Sequence, residues 1–370
     1  CAVTGEAEKK SRQAIARVRA VAPKARIIVC GCAAERTPEL FLKKQNVRLV
    51  TGARQKSKIL ALLDEEGVRL DEEDRRYDEM LPPVSLKTRA FVKIQDGCNN
   101  FCSYCIIPYL RGRSRSRTVE SAAEEILSAP AEEVVITGID VSSFRDGEKD
   151  LADLLLAVKD APCRIRLGSL EVNVVTPRLL DAAKSVRDFA PHFHLSLQSG
   201  SDGVLKKMNR HYTAEEYLQK VELIRSYFPD AAITTDVITG FPTETEEQFA
   251  ETCAFVRKVG FSQIHCFSYS RRTGTNAAKL AELPAETKKR RLHEMLAVAG
   301  QLRKEYETKF LGKVLELVPE EKKGEYTTGY SQNYIRLYVR GEVLKKARVV
   351  AVEVMEDGLL AVQEAKGANY

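Results

Sequence analysis

The feature that most constrains the fold of this chain is a regular alternation of strand and helix patterns through its middle part. Between Arg89 and Glu307, six short apolar runs are each followed by an amphipathic helical pattern. Strands joined in this way lie parallel, and six such units predict an α/β fold with a partial barrel, smaller than the eightfold version. The predicted strands are Phe91–Gln95, Glu133–Thr137, Arg164–Gly168, His192–Leu197, Ala232–Ile238 and Gln263–Phe267.

Two helices of this part begin with a sequence typical of a capping box. In this motif a Ser or Thr and an acidic residue three positions later satisfy each other's backbone amides. The two sequences are Thr213-Ala214-Glu215-Glu216 and Thr243-Glu244-Thr245-Glu246. They predict helices that start at these positions.

Residues 1–65 predict a small α/β domain of the Rossmann-like type. An amphipathic helix pattern runs from Glu6 to Val21, and short apolar strands follow at Arg26–Val29 and Val47–Val50. The next stretch, 66–88, is charged, contains Pro82-Pro83 and lacks apolar periodicity. We interpret it as a linker to the central domain at 89–307.

Residues 308–366 show a different pattern, in which short β-rich runs are separated by glycines. Strands at this spacing predict a small β-barrel of the OB-like kind as a third domain. The predicted strands are Lys313–Val318, Ile335–Val339, Ala347–Val354 and Leu359–Val362.

Composition is that of an ordinary globular protein, with 44% hydrophobic and 30% charged residues. Apolar runs stay short of membrane-spanning length and no signal peptide leads the chain, so we expect a cytoplasmic protein without a membrane partner. The clustered spacing of the nine cysteines fits free thiols in a reducing compartment. The net charge of +6 is compatible with a polyanionic partner. The chain starts at Cys1 without a methionine, so we expect a further N-terminal segment.

Three cysteines at C-x3-C-x2-C spacing follow the first predicted strand of the central domain: Cys98, Cys102 and Cys105. Random placement of cysteines gives this spacing with a probability of roughly half a percent. Iron–sulfur cubanes usually take four Cys ligands, so three indicate a cluster whose fourth iron is open to S-adenosylmethionine (SAM). Structural zinc is the alternative, but it needs four Cys or His ligands, and the sequence has no second Cys pair or nearby His.

The residues around these cysteines resemble the radical-SAM methylthiotransferases, and the resemblance covers nearly the whole chain. Within that family the chain is most similar to the branch that acts on N6-threonylcarbamoyladenosine in tRNA, and the C-terminal part resembles its TRAM domain, an RNA-binding β-barrel. The segments that carry the resemblance are Gly97–Pro108, Arg111-Gly112, Ser116-Arg117, Thr137–Ile139, Arg166–Glu171, His194–Ser201, Asp236–Pro242 and Tyr269–Thr275.

The resemblance implies a second, auxiliary cluster held by three cysteines of the N-terminal domain. Cys1, in Cys1-Ala2-Val3-Thr4, matches the second ligand, and Cys32, in Gly31-Cys32-Ala33, matches the third. The first ligand is expected upstream of residue 1. Cys30 is interpreted as a strand residue, since its position does not match the motif.

The resemblance also implies a SAM site in the loops after the strands. We expect Tyr104 to pack on the adenine; a core aromatic residue is the alternative. We expect Glu171 to accept hydrogen bonds from the amino group or ribose of SAM; a solvated loop residue is the alternative. Further predicted contacts, to the ribose or carboxylate, are Gln198, Ser199, Asp236 and Thr239.

Single His and Cys residues on strand or helix patterns are interpreted as structural. A lone histidine in a strand is more often a core residue than a catalyst, and single cysteines usually behave as small buried hydrophobic residues. No side chain is assigned as catalytic. The residues are His194, Cys163, Cys253 and Cys266.

Four arginines alternate along the segment after the cysteines: Arg111, Arg113, Arg115 and Arg117. In an extended segment this spacing places all four on one face, where their guanidinium groups suit phosphate oxygens. We therefore predict an RNA contact, with a solvated basic loop as the alternative. A later basic run, Lys288–Arg291, is interpreted as the solvated face of a helix.

The expected function is that of a tRNA-modifying enzyme which adds a methylthio group to C2 of N6-threonylcarbamoyladenosine beside the anticodon. It would use SAM and two [4Fe–4S] clusters, one binding SAM and one auxiliary. The expected partners are the tRNA anticodon loop, an electron donor such as flavodoxin or ferredoxin, and a sulfur source. Alternatives are isopentenyladenosine in tRNA or a ribosomal-protein aspartate as substrate, or an RNA-binding iron–sulfur sensor without turnover.

Overall fold

The computed structural model describes residues 1–54, 56–70, 76–80 and 88–364. Its N-terminal part is a parallel three-stranded sheet with helices packed on it, and Ile15, Phe41 and Val50 form part of the core between them. The predicted α/β character of this part is confirmed. Its elements are α1 (Gly5–Val21), β1 (Ile27–Val29), α2 (Cys32–Arg36), α3 (Pro38–Leu42), β2 (Val47–Thr51) and β3 (Gly67–Arg69).

The N-terminal sheet reaches into the stretch that we interpreted as a linker. β3 lies parallel to β2, with Val68 opposite Val50 and Arg69 opposite Thr51. A strand of three residues is too short to show a periodicity, and its place is fixed by backbone pairing with β2. Pro82-Pro83 lies outside the described residues.

The central part contains all six predicted strands, and each is within two residues of its predicted bounds. These six are β4 (Arg89–Asp96), β6 (Glu133–Gly138), β7 (Arg164–Leu167), β9 (His192–Leu195), β10 (Ala232–Thr239) and β11 (Gln263–Ser268). Two short strands were not predicted, β5 (Arg115–Ser116) and β8 (Ser169–Leu170). Within the described ranges the strands form two four-stranded sheets, β5-β4-β6-β7 and β8-β9-β10-β11, which the chain connects at Gly168. Apart from the antiparallel β5, the strands pair in parallel, which confirms the partial barrel.

Helices cover the outer face of these strands. The main hydrophobic core lies between the two layers and includes Ile136, Phe193 and Val237 from the strands, all fully buried. The helices are α4 (Ile107–Arg111), α5 (Val119–Ser128), α6 (Leu151–Ala157), α7 (Pro177–Ser185), α8 (Asp202–Lys207), α9 (Ala214–Tyr227), α10 (Glu246–Val259) and α11 (Ala285–Thr308). No helix in the described part of the chain is long and apolar enough to cross a lipid bilayer.

One of the two predicted capping boxes is confirmed and the other is wrong. Thr213 caps α9 as predicted, together with Glu216. The box of α10 uses Thr245 and Gln248, two residues later than predicted. Glu244 is buried instead, where Arg291 donates to its carboxylate at 2.6 Å and the backbone N–H of Gly240 donates at 2.9 Å. 

The interpretation of the basic run on α11 as a solvated face is therefore wrong for its last residue. Arg291 is only 2% exposed, because the Glu244 carboxylate compensates its charge in the protein interior. 

The C-terminal part is a closed β-barrel, as predicted. The barrel contains one strand that the pattern does not predict, Tyr326–Tyr330, because its Gly329 is one of the glycines that separate the predicted β-rich runs. Gly329 instead lies where two strands approach closely: a Cβ at this position would lie 2.0 Å from the carbonyl oxygen of Val318. The strands are β12 (Val314–Lys323), β13 (Tyr326–Tyr330), β14 (Arg336–Arg340), β15 (Ala347–Met355) and β16 (Gly358–Gln363).

The C-terminal barrel packs against the N-terminal ends of the central strands, opposite the end that carries the cysteine loop. Arg166, at the bottom of the partial barrel, donates to the carbonyl oxygen of Ser331 at 3.0 Å. The ring of Tyr334 stacks on His192, with ring centres 4.5 Å apart. These contacts leave the strand ends near Cys98 free of the C-terminal barrel.

Glu307 of α11 gives this junction a pH-dependent stability. Its carboxyl group is buried in a cavity of about 220 Å³, and within the described residues its Oε2 accepts no hydrogen bond. Burial raises the pKa of Glu307 to about 7. The unfolded chain ionises this group near pH 4, so stability falls as the pH rises from that value to about 7 and stays reduced above it.

We therefore expect Glu307→Gln to raise the free energy of unfolding by about 2 kcal/mol at pH 8 and by much less at pH 5. Urea unfolding at the two pH values measures this difference. An equal effect at both pH values would show that ionisation of Glu307 is not its cause.

Candidate cluster and cofactor site

The three-cysteine loop begins directly after β4, and its first turn depends on Gly97. This residue has a φ of 72°, and a Cβ on it would lie 2.0 Å from the carbonyl oxygen of Arg113. The backbone N–H of Cys98 donates to the carbonyl oxygen of Gly112 at 3.2 Å, which holds the turn against the segment after α4. Only glycine fits this conformation without a clash.

We expect Gly97→Ala to disrupt the loop more than the fold. A positive φ costs about 1–3 kcal/mol for a residue with a side chain, and the clash with Arg113 adds to it. After anaerobic reconstitution, the variant should bind several-fold less iron than the wild-type protein, while its far-ultraviolet circular dichroism is unchanged. Gly147→Ala is a suitable control, since Gly147 also has a positive φ (60°) but no atom lies within 4 Å of an added Cβ. Equal iron contents for Gly97→Ala and wild type would contradict this role.

The other side of the loop is held by the residues that follow α8. The backbone N–H of Ser103 donates to the carbonyl oxygen of Met208 at 2.9 Å, and its hydroxyl donates to that of Lys207 at 2.7 Å. Asn209 donates to the carbonyl oxygens of Asn100 and Phe101, each at 3.2 Å. The loop is thus fixed on both sides before any cofactor binds.

The three thiols lie close enough to influence one another electrostatically. Burial, together with the smaller effects of Asp140, Cys102 and Cys105, raises the pKa of Cys98 to about 12. Burial likewise raises the pKa of Cys105 to about 11. Thiolates in such a place need a compensating cation, and iron bound to three thiolates supplies one. The donor set therefore fits the predicted three-cysteine cluster.

A polar cavity of about 250 Å³ lies beside Cys102. Arg210 reaches into it, with Nη1 at 3.3 Å from the Cys102 sulfur and Nη2 paired with the carboxylate of Glu171. Burial raises the pKa of Glu171, and the neighbouring Arg210 opposes this shift. Glu171 is therefore paired with Arg210 and is not a solvated loop residue, and its contact with the cofactor stays a prediction.

A second cavity, of about 230 Å³, lies beside Cys105. It brings together three predicted SAM contacts, Tyr104, Gln198 and Asp236. Tyr104 also packs against a hydrophobic cluster that contains Phe241. Both interpretations of Tyr104 therefore describe part of its environment: one side is packed and the other lines the cavity.

Two other predicted SAM contacts point away from these cavities. Ser199 is fully buried, and its hydroxyl lies 3.1 Å from that of Thr252 on α10. Thr239 is 1% exposed, and its hydroxyl donates to the carbonyl oxygen of Phe267. Neither lines the cavities at Cys102 or Cys105. Successive side chains along an extended backbone point in opposite directions. Ser199 and Thr239 directly follow Gln198 and Ile238, which line the second cavity, and therefore face the packed side.

His194 is held by neighbouring strands, as its structural interpretation predicts. Its Nδ1 lies 3.0 Å from the hydroxyl of Thr234, and its Nε2 lies 3.5 Å from the carboxylate of Asp236. These contacts position Asp236 at the edge of the second cavity.

The two cysteines assigned to the auxiliary site differ in exposure. Cys1 is exposed and its amino group donates to the hydroxyl of Ser11 at 3.1 Å. Cys32 is buried at the start of α2, where it packs with Ile106 and Leu110 from the segment after Cys105. The N-terminal domain is therefore in direct contact with the radical-SAM loop region.

The four alternating arginines do not share an exposed face. Arg111 ends α4 and Arg115 pairs with Asp96 at 3.2 Å, with only 4% of its side chain exposed. Arg117 pairs with Glu125 on α5 and is 10% exposed. Arg113 is the exposed member, and it lies over the ring of Phe101 at 4.6 Å. The predicted common face is wrong, because the segment turns at Gly112, where φ is 76°.

Several polar residues of this site are not among those predicted from the sequence. Asp140 could have been found, since it follows β6 at the end where functional residues of such barrels lie. Arg210 and Tyr212 carry no such signal, because they follow α8 in an irregular segment. Their position depends on tertiary contacts: the Tyr212 hydroxyl donates to the carbonyl oxygen of Ser196 at 2.6 Å, and Arg210 donates to the same oxygen at 3.1 Å.

Two family profiles match this chain. Residues 92–256 match the radical SAM superfamily, and residues 1–52 match a family described as "Uncharacterized protein family UPF0004". The first match includes the three-cysteine loop and most central strands, and the second includes Cys1 and Cys32.

Several relatives match nearly the whole chain. The threonylcarbamoyladenosine tRNA methylthiotransferase MtaB of Bacillus subtilis is 36% identical, over 97% of this chain and 84% of the relative. MtaB of Chlamydia pneumoniae is 38% identical, over 90% and 79%. A tRNA-2-methylthio-N(6)-dimethylallyladenosine synthase of Desulfitobacterium hafniense is 33% identical, over 96% and 85%. With a three-cysteine loop on a partial barrel and relatives of this kind over most of its length, the chain belongs to the methylthiotransferase family of radical-SAM enzymes.

Proposed function

We propose that this protein adds a methylthio group to C2 of N6-threonylcarbamoyladenosine in tRNA, beside the anticodon. One observation carries the proposal: Val3 and Thr4, which follow Cys1, line the same cavity as Cys105, Gln198 and Asp236. The N-terminal ligand motif and the three-cysteine loop therefore line the same cavity. The proposed reaction requires this, because the sulfur group has to reach the carbon atom at which the radical forms.

The chain offers a place for each cofactor of this family. Cys98, Cys102 and Cys105 would hold the [4Fe–4S] cluster that binds SAM, and Cys1 and Cys32 would supply two ligands of the auxiliary [4Fe–4S] cluster. When bound, these groups supply a carbon radical that removes the C2 hydrogen and the sulfur that replaces it. The C2–H bond is strong and not acidic, so a side-chain base cannot perform this step.

The protein's own residues bind and orient the reactants. We assign Tyr104, Gln198 and Asp236 to one part of SAM and Glu171 to another, because they line the two cavities beside the loop. By holding SAM beside the cysteine loop, these residues would remove much of the freedom of the reacting groups before the chemical step. The packed side of the second cavity, at Phe241, limits the access of water.

The proposed substrate is a loop nucleotide, since unpaired bases can be turned out of a stack and bound in a cavity. Arg113 remains a predicted RNA contact. An electron donor such as flavodoxin or ferredoxin and a sulfur source complete the proposed partners, and with tRNA as substrate we infer a cytoplasmic location. We also propose domain limits of 1–65, 89–307 and 308–366, with the first sheet extended by β3.

The test is reconstitution of the full-length protein without oxygen, followed by incubation with SAM, dithionite and tRNA that carries threonylcarbamoyladenosine. Mass spectrometry of the digested tRNA should show a methylthio gain on that nucleoside. Formation of 5′-deoxyadenosine without this gain would retain the reaction class but overturn the substrate. Tight tRNA binding without SAM cleavage would favour an RNA-binding iron–sulfur sensor.

A second substrate has specific support. The dimethylallyladenosine synthase of Desulfitobacterium hafniense is almost as similar to this chain as the MtaB proteins are. A competition assay with both tRNA species in one reaction separates the two. We expect the methylthio gain on threonylcarbamoyladenosine, and a gain on dimethylallyladenosine alone would reverse the assignment.

A further inference from the structure

Arg111 connects the two predicted cluster sites. Its Nε donates to the sulfur of Cys32 at 3.0 Å, and its Nη1 lies 3.3 Å from the carboxylate of Asp96. Asp96 also accepts the backbone N–H of Gly97 at 2.8 Å, at the start of the three-cysteine loop. A continuous path of three polar contacts therefore runs from that loop to the auxiliary ligand.

Among the residues that the structure describes, positive side chains outnumber negative ones along this path. Arg111 and Arg115 both pair with Asp96, which is 2% exposed, and their side chains are 16% and 4% exposed. The half-exposed Lys93 pairs with the same carboxylate at 2.7 Å. Three cations thus face one carboxylate, and the Nε of Arg111 is directed at Cys32. A thiolate that ligates iron supplies the missing negative charge, whereas a neutral thiol does not.

This arrangement is hard to reconcile with an RNA phosphate as the partner of Arg111. The guanidinium group is mostly buried, and two of its nitrogens are engaged by Cys32 and Asp96. A phosphate would have to displace both contacts. Arg113, two residues later, is exposed and makes neither of these two contacts among the described residues.

We infer that Arg111 is a positioning residue of the auxiliary cluster: it donates a charged hydrogen bond to the Cys32 ligand and fixes that ligand relative to the radical-SAM loop. The inference rests on the proposed function, since it presupposes the auxiliary cluster. Hydrogen bonds to ligand sulfurs stabilise the reduced, more negative form of a cluster and raise its potential. Arg111 should therefore raise the auxiliary potential and improve retention of its iron.

The test uses the full-length protein, reconstituted without oxygen, in two backgrounds. In wild type both clusters are present, and in a Cys98→Ala/Cys102→Ala/Cys105→Ala background only the auxiliary cluster gives a signal. Arg111→Gln, Arg111→Lys and the control Arg113→Gln are introduced into each. The readouts are the midpoint potential from redox titration followed by electron paramagnetic resonance, the rate of iron loss to a chelator, and tRNA affinity.

We expect Arg111→Gln to shift the auxiliary potential to a more negative value and to speed iron loss several-fold, with the SAM cluster unchanged. Arg111→Lys should give a smaller shift, because lysine keeps the charge but lacks the planar fork that reaches both partners. It also serves as the test if Arg111→Gln fails to fold. Arg113→Gln should leave both cluster signals unchanged.

Two outcomes would overturn the inference. An unchanged auxiliary potential and iron content in both Arg111 variants, together with several-fold weaker tRNA binding, would assign Arg111 to RNA contact. Absence of any cluster signal in the triple-alanine background with Arg111 intact would remove the auxiliary cluster itself, and with it the sulfur-transfer part of the proposed function. The first outcome leaves the proposed function intact, so the two failures are distinguishable.

Discussion

Cys98→Ala is expected to abolish SAM cleavage and methylthio transfer. With only two thiols left, the site would no longer hold the cluster, and the open iron that would bind SAM is lost with it. Because the reaction has no route without the radical, activity should fall by more than about 10⁶-fold, the lower end of typical enzymatic rate enhancements. Production of 5′-deoxyadenosine and methylthio-nucleoside, both measured by mass spectrometry, reports the loss.

Cys163→Ala is the matched control for this experiment. Cys163 is also a buried thiol of the central part, but it packs in the main hydrophobic core, away from the cysteine loop. This variant should retain its iron and its product yield. Persistence of SAM cleavage in Cys98→Ala would contradict the assignment of the cluster ligands.

Glu133→Gln is expected to have the largest effect on stability. The carboxylate of Glu133 is fully buried and pairs with three arginines: Arg89 at 2.9 Å, Arg166 at 2.7 Å and Arg164 at 3.9 Å. Removal of the negative charge takes away the carboxylate that Arg166 pairs with, while Arg89 keeps Glu320 and Arg164 keeps Asp188 and Glu316. Arg164 and Arg166 also contact the C-terminal barrel. Breaking a buried pair in this way costs about 3–5 kcal/mol.

Urea unfolding of the full chain measures this loss, and Glu294→Gln is the control. Glu294 pairs with Arg290 at 2.8 Å on the surface of α11, where both side chains are 48% exposed. An exposed pair of this kind contributes about 0.3–0.5 kcal/mol. If both substitutions lowered the free energy of unfolding by a similar amount, the charges of the arginines around Glu133 would be compensated by other carboxylates or by solvent.

The fold could largely be predicted from sequence because its patterns are local. Each of the six central strands combines apolar residues with a following helix, and the cysteine spacing is a property of eight consecutive residues. The failures occurred where local pattern and tertiary contact disagree. β3 is too short for a pattern, Gly329 is a strand residue at a close approach, and the capping box at Thr243 gave way to one at Thr245 because Glu244 pairs with Arg291.

The arginines after the cysteine loop show the same limit at the site. Their spacing is visible in the sequence, but whether a guanidinium group faces solvent or a buried carboxylate depends on residues far away in the chain. Arg111 lies against Cys32, 79 positions before it, and Arg210 reaches Cys102 across 108 positions. No local signal encodes such a pair.

The sequence by itself determined the chemistry that this protein can support: three thiols at a spacing that fits one cluster, on a chain of alternating strands and helices. Only the tertiary structure decided how the chemistry is arranged. Burial and ion pairing between distant segments pair Glu171 with Arg210, bury Ser199 away from the cavities and direct Arg111 at Cys32. These interactions depend on distance and solvent exposure, which a linear pattern does not contain.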